Sequence, residues 1–361
     1  MNILHISSAT SWRGGEQQIA YLIDELDQLG HSNILMHPFN APISNHQSIQ
    51  SKYVSIPYKK YFSLNPLVAY KIKQVVKTHE INIIHAHDSH AHSFLYLSYW
   101  LLNLTTISVV SRRVDFSISK SSFKKYSEKK IRKIICVSNK IKEIVSDSLG
   151  ESNRITTIHS GVDLNKFSSD SALNLRKTYN IPTFHRLVGN VSAIADHKDY
   201  TTFVNTAALV LKQKPDITFL IIGGDGGEQD KIYNHINKLG LSKSIIMTGY
   251  IENAYNLIKQ LDVFFFPSKM EGLGTSILDA QCSSVPVVST YAGGIPELIK
   301  HKETGLLSRI GDTRDLAKNI NLILEDNILK TKITNKALAN VSNFSKKATA
   351  LNTISVYKSV T

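Results

Sequence analysis

Two carboxylates, Glu271 and Asp279, enclose the run Gly272-Leu273-Gly274-Thr275-Ser276-Ile277-Leu278, which follows the apolar stretch Val263 to Phe266. The order reads strand, glycine-rich turn, helix. Glycines in such a turn let a ligand approach the backbone, and the unpaired N–H groups at the start of the next helix face a bound anion. That is the chemistry of gripping a diphosphate. With the helix starting near Gly274, Asp279 lies one turn and roughly 6 Å deeper than Thr275, where its carboxylate can accept two vicinal ribose hydroxyls. Glu271, on the turn itself, is expected on the far side of the phosphates, where a transferred sugar would lie. Gly272, Leu273, Gly274, Thr275, Ser276 and Asp279 are therefore the expected donor-binding set.

Other segments carry chemistry of the same kind. Gly14 and Gly15 stand between the first apolar run and a helix expected to open near Glu16, which makes a second anion-friendly turn with Arg13 beside it. Lys198 follows one strand-like run and precedes a helix-like one. A lysine there can neutralise a diphosphate as its bond to sugar breaks, and charge stabilisation of that type is usually the largest catalytic contribution. The run His85-Ala86-His87-Asp88-Ser89-His90-Ala91-His92 leaves three readings open: a metal site, structural histidines, or acceptor binding by His87, Asp88 or His92 at a strand end.

The elements that must position these residues follow from apolar periodicity. Strand-like runs at Ile3–Ser7, Ile34–His37, Ile83–Ala86, Ile107–Ser111, Lys133–Val137 and Ile155–Ile158 alternate with amphipathic stretches. A second series follows at Leu187–Val191, Thr218–Ile222, Ile245–Thr248, Val263–Phe266 and Val285–Ser289. Alternation of this kind predicts parallel strands with crossover helices, here in two doubly wound units in tandem. The boundary is expected in the polar stretch Ser168 to Thr183, giving a first domain over 1–170 and a second over 184–342. Ligands on such sheets bind beyond the carboxyl ends of the strands, so the cleft between domains is the expected site. Phe344, Ala348, Leu351, Ile354 and Tyr357 recur at helical steps near the end of the chain.

Length and composition bound the function. A chain of 361 residues exceeds one ordinary core, and 42 % hydrophobic with 20 % charged residues is globular composition. Cys136 and Cys282 fall in different expected domains, as reduced thiols of a cytoplasmic protein with neither a disulfide framework nor a metal site. The opening residues lack a basic head and read as a first strand, not a secretory signal. Phe94 to Val110 is the most apolar stretch, but its interrupting Ser98, Asn103, Thr105, Thr106 and Ser108 predict a buried helix and then a strand. A net charge of +13 implies an acidic partner or surface. Much of it lies between Arg112 and Lys142, opposed only by Asp115 and Glu128. No aromatic-lined basic strand or helix-turn-helix pattern accompanies it, so a nucleic-acid partner is not expected.

The Glu271 to Asp279 segment resembles the Glu-x7-Glu signature of the retaining nucleotide-sugar glycosyltransferases of family four, which have the GT-B fold. The likeness extends over Arg13-Gly14-Gly15-Glu16-Gln17, the His85 strand end, Ser160-Gly161-Val162-Asp163, His197-Lys198-Asp199, Gly223-Gly224-Asp225-Gly226, and Ala292 to Glu297 followed by Gly305-Leu306-Leu307. The resemblance implies an α/β architecture of two Rossmann-like domains facing across a cleft, with the terminal helix, about 343–361, returning to the first. It places Gly224 near the nucleotide, Gly14 and Gly15 at the donor phosphate or the acceptor, and Glu271 and Lys198 as the catalytic pair. Asp279 stands where the family usually has Glu, and of its usual basic pair only Lys198 remains, the other position being Ala193. A histidine common after the next strand is replaced by the Arg112-Arg113 pair, which becomes the expected acceptor-binding group with Arg13, His87 and Asp88.

The expected function is hexosyl transfer with retention, from a nucleotide sugar (a UDP-sugar favoured over GDP-mannose) to a glycolipid or polysaccharide intermediate such as lipopolysaccharide core or O-antigen. No Asp-x-Asp occurs, so basic side chains and helix ends are expected to replace a metal at the phosphates. The basic stretch predicts docking on the anionic inner face of the cytoplasmic membrane. Transfer to a small soluble acceptor and non-catalytic nucleotide-sugar binding are the alternatives, the latter suggested by Asp279 and Ala193.

Overall fold

The computed structural model describes residues 1–45, 49, 51–60, 65–167 and 173–361. The chain divides into two compact units: Met1–Asp163 with Phe344–Thr361, and Leu164–Asn343. Of the Ser168 to Thr183 stretch, residues 168–172 lie outside the described residues, and a short helix, Leu175–Thr178, occupies part of the rest.

The first unit is built on seven strands: β1 (Asn2–Ile6), β2 (Ser32–Pro38), β3 (Val54–Tyr58), β4 (Ile83–Ala86), β5 (Ser108–Arg112), β6 (Ile131–Cys136) and β7 (Ile155–Thr157). All neighbours pair parallel in the order β3-β2-β1-β4-β5-β6-β7. The second unit carries β8 (Arg186–Val191), β9 (Ile217–Ile222), β10 (Ile245–Gly249), β11 (Val263–Phe266), β12 (Val287–Thr290) and β13 (Leu306–Ser308). Its order is β10-β9-β8-β11-β12-β13, again parallel. In each sheet the order reverses beside its first strand, the switch point at which doubly wound sheets bind ligands. The continuous apolar strands reflect burial on both faces: Val263, Phe264, Phe265 and Phe266 are all fully buried.

Two strands escaped the periodicity reading. β3 is a sheet edge with Val54 exposed and Pro57 inside it, so its apolar alternation is weak. β13 has only three residues. The Phe94 to Val110 stretch is the end of helix Ser89–Leu102 followed by β5, and among the described residues no helix is long and apolar enough to cross a membrane.

The last helix, Lys346–Lys358, packs within the first unit. Its inward face is Ala350, Thr353, Ile354 and Tyr357, while Leu351 is exposed and Ala348 half-buried. The expected stripe is thus corrected by part of a turn. Gly161 sets the approach: a Cβ there would stand 2.8 Å from the Lys346 backbone. The Gln18 amide donates to Gly161 C=O at 2.7 Å and accepts from its N–H at 2.8 Å, which fastens the first helix of the unit to the same point.

Candidate active site

In the second unit the chain leaves β11 at Phe266, turns through residues 267–274 and enters helix Thr275–Cys282. Gly274 is the N-cap at φ 91°, a conformation that a side chain would strain. No side-chain hydrogen bond caps this helix, so its first N–H groups, at Thr275 and Ser276, have no intrahelical acceptor and remain available to an anion. Leu273 is buried beneath the turn, while Gly272, Thr275 and Ser276 are half-buried.

Glu271 is nearly buried, and its carboxylate accepts from Ser268 Oγ at 3.0 Å and pairs with the Lys198 ammonium. The Lys198 side chain is 14 % exposed and lies over the Phe266 ring, 4.7 Å from its centre. Lys198 reaches this point because a short 3₁₀ turn, Asp196–Lys198, precedes helix Tyr200–Leu211, whose N-cap Asp199 sits at φ 51°. The two loops are stitched by Lys269 N–H donating to His197 C=O at 3.0 Å. Gly293 supports the turn from beneath: a Cβ there would fall 1.8 Å from the Glu271 carbonyl oxygen, and Gly294 N–H donates to that oxygen at 3.1 Å.

Asp279 lies one turn into the helix, half-buried, and its Oδ1 pairs with Lys166 Nζ at 2.7 Å. Gly223, Gly224 and Gly226 occupy the loop after β9, which bonds to the loop after β8 through Ile194 N–H to Gly224 C=O (2.9 Å) and Gly226 N–H to Ile194 C=O (3.0 Å). Gly224 faces Tyr250, which is 75 % exposed. Lys198, Glu271 and the helix start therefore share one end of this sheet with the glycine-rich loop.

The first unit gathers a second group at the carboxyl ends of β1, β4 and β5. Helix Gly14–Gln28 begins at the expected glycine pair, with Arg13 as its exposed N-cap. The Glu16 carboxylate accepts from Arg13 N–H at 3.0 Å, and its burial raises the carboxyl pKa against the pull of that bond and of Arg113. Arg113 is half-buried, with Cδ in van der Waals reach of a Cβ at Gly15. Desolvation lowers its guanidinium pKa, and the nearby Glu16 and Asp88 carboxylates oppose that shift.

Two residues expected to hold the acceptor, Asp88 and Arg112, also bond within the unit. Asp88 Oδ1 caps helix Ser89–Leu102 through the His90 and Ala91 N–H groups at 3.0 and 2.9 Å, and Oδ2 accepts from Ser8 N–H at 2.6 Å. Arg112 is 6 % exposed, donates to Tyr126 Oη at 3.1 Å and to Phe116 C=O, and lies over both rings. It braces the loop after β5, which leaves Arg113 as the member of the pair that faces Glu16 and Asp88.

The histidine run resolves into separate roles. His92 donates Nε2–H to Lys125 C=O at 3.1 Å, and burial lowers its pKa to about 3. His90 is exposed. His85 and His87 join His5, which the sequence reading did not include, in a buried cluster. Its proton positions follow from one fixed amide. Asn33 Nδ2 donates to His31 C=O at 3.1 Å, so Asn33 Oδ1 faces His5 Nε2, at 3.1 Å, which must carry the proton. His5 Nδ1 then accepts from His87 Nε2–H at 3.0 Å. His85 bonds Tyr357 Oη at 2.6 Å and Ser111 Oγ at 2.8 Å. Burial drives all three pKa values down, His5 to about 4. The set is a chain of neutral imidazoles, and its nitrogens are largely committed to one another and to side chains. Among the described residues, His87 Nδ1 keeps a lone pair without a partner.

Comparison with known proteins agrees with this fold. The model for "Glycosyltransferase Family 4" matches residues 12–166, and that for "Glycosyl transferases group 1" matches 172–339, so that together they span most of the chain. An Anabaena protein, HepE, solved with UDP-glucose superposes with a TM-score of 0.84 over 99 % of this chain and all of that one, at 21 % identity. The N-acetyl-alpha-D-glucosaminyl L-malate synthase of Bacillus anthracis is 23 % identical over 82 % of this chain and 78 % of its own length. The Escherichia coli UDP-Gal:alpha-D-GlcNAc-diphosphoundecaprenol alpha-1,3-galactosyltransferase is 26 % identical over 56 % of this chain, which matches only 54 % of that enzyme.

The fold and site define a glycosyltransferase of the GT-B class. The chain belongs to the family-four glycosyltransferases and is a hexosyltransferase.

Proposed function

We propose that the protein transfers a hexose, with retention, from a nucleotide sugar to a glycolipid or polysaccharide intermediate such as lipopolysaccharide core or O-antigen. The observation that carries the donor half is the uncapped helix start at Gly274, flanked by Glu271 and Asp279, with Lys198 paired to Glu271. A diphosphate seated there takes the Thr275 and Ser276 N–H groups, and the Lys198 ammonium exchanges the Glu271 carboxylate for phosphate oxygen. Glu271, released, orients sugar hydroxyls. The glycosidic C–O bond to phosphate breaks as the acceptor oxygen attacks the same face of the sugar. The departing phosphate oxygen takes the acceptor proton, so no enzyme nucleophile is required. Positive charge from Lys198 and the helix end stands where a metal would otherwise serve. A UDP-sugar is the favoured donor, as in the Anabaena complex.

The acceptor half rests on Arg13, His87 and Arg113 in the first unit, with Gly14 and Gly15 providing close backbone approach. A cation beside an anion-friendly helix start suits an acceptor bearing phosphate. The exposed Lys120, Lys124 and Lys129, interleaved with exposed Phe116 and Phe123, support docking on an anionic membrane. A second reading, transfer to a small carboxylate acceptor, is favoured by the malate in the name of the Bacillus relative. Incubation with radiolabelled UDP-hexoses and either membrane lipid extract or L-malate separates the readings. Label in the lipid phase supports the first, label in a water-soluble glycoside the second. Intact donor in both, with no free UDP, would refute hexosyl transfer from UDP-sugars.

A further inference from the structure

The carboxylate expected to meet the ribose is not alone. Lys166 holds Asp279 Oδ1 at 2.7 Å, and both side chains are largely buried, at 15 % and 18 % exposure. The ammonium also lies over two rings, 4.4 Å from the centre of Tyr255 and 4.9 Å from that of Phe167, which themselves meet edge to face at 5.9 Å. A lysine held against a carboxylate and two aromatic faces is restrained, and it restrains the carboxylate in turn.

The geometry points to Lys166 as a positioning and specificity residue for the ribose of the nucleotide donor. This rests on the donor reading above, in which the ribose lies at Asp279. An aspartate carries one methylene fewer than the glutamate of the family signature, so it needs support to present an oxygen at a fixed depth. Lys166 occupies Oδ1 and leaves Oδ2 directed to a ribose hydroxyl. Its ammonium has three donors, so it can also donate to the oxygen of the same hydroxyl. A vicinal diol is then met by an acceptor and a donor together, an arrangement that a ligand lacking those hydroxyls cannot satisfy. Neither the Glu271–Lys198 pair nor the helix start takes part, so the effect is confined to the sugar of the nucleoside.

The test is calorimetric titration of UDP and of 2′,3′-dideoxy-UDP into the wild type, Lys166→Met and Lys166→Arg. A hydrogen bond to a charged group is equivalent to roughly tenfold in affinity. The wild type is expected to prefer UDP over the dideoxy ligand by at least that factor. Lys166→Met should lose most of this preference while binding dideoxy-UDP as the wild type does, and Lys166→Arg should retain part of it. Equal weakening of both ligands in Lys166→Met would overturn the inference, because it would make the lysine a general structural support. A wild type that binds UDP without regard to the hydroxyls would overturn it while leaving the donor reading in place. A wild type that binds neither ligand would sink both. If Lys166→Met does not fold, the Arg variant decides: a preserved preference supports the role, and equal loss for both ligands refutes it.

Discussion

Replacing Lys198 by Met should destabilise the second unit, and removing the charge of its partner should restore it. Glu271 and Lys198 side chains are 9 % and 14 % exposed, so the ion pair is close to fully desolvated. Truncating one partner of such a pair leaves the other charge buried, at roughly 3–5 kcal/mol. Residual exposure and the Ser268 bond place Lys198→Met at the lower end, about 3 kcal/mol. For a unit of this size that is a fall of about 6–12 °C in its melting temperature. The double variant Lys198→Met/Glu271→Gln buries neither charge and should lie within about 1 kcal/mol of the wild type. Glu271→Gln leaves the Lys198 charge unpaired at a similar cost, about 3 kcal/mol, so the coupling in the cycle is about 5 kcal/mol. Differential scanning calorimetry of the four proteins gives the values directly. Turnover should be lost in all three variants, and the well-folded double variant separates that loss from instability. An unchanged transition in Lys198→Met, or a double variant as unstable as the two singles added, would refute the pairing.

Three further outcomes follow from the geometry. Gly293→Ala places a methyl group on the Glu271 carbonyl and should abolish turnover and lower the melting temperature, whereas Gly311→Ala, also at positive φ but in open space, should show only backbone strain of about 1 kcal/mol; equal effects in both would contradict the close approach. His5 and His92 are neutral in the fold and have pKa values lowered to about 4 and about 3, so the unfolded chain takes up their protons first as pH falls below 6.5. Stability should therefore be insensitive to these groups above pH 6.5 and fall below it by about 1.4 kcal/mol per pH unit for each; in urea titrations at pH 7 and 5, His92→Gln should show a shallower loss than the wild type, and an identical slope would refute the assignment. Reversing Lys120, Lys124 and Lys129 to Glu should abolish flotation with anionic vesicles at moderate salt while leaving UDP binding unchanged, and flotation as strong as that of the wild type would count against this face.

The architecture was legible because both sheets are buried on both faces. Strands such as Val263 to Phe266 print as unbroken apolar runs, and the helices between them print as amphipathic stretches. Edge elements lack that signal, which is why β3, with exposed Val54 and with Pro57, was not visible. The site was legible where chemistry is local. Gly274, Thr275 and Asp279 lie within two turns of one helix, so spacing alone places them. Contacts between distant segments left no such trace. Nothing in the spacing announces that Lys166 meets Asp279 or that His5 joins His87, although Lys166 closely follows the Ser160 to Asp163 motif. Arg112 and Arg113 look equivalent in sequence. Burial of the first under Phe116 and Tyr126 depends on a loop that charge counting cannot resolve.

The central claim is that the helix start behind Phe266 holds the donor diphosphate. The most direct test is a crystal structure with UDP bound. The account predicts phosphate oxygens about 3 Å from the Thr275 and Ser276 N–H groups, with Lys198 moved from Glu271 onto phosphate and the ribose at Asp279. A nucleotide bound at another place, with the Lys198–Glu271 pair undisturbed, would contradict it.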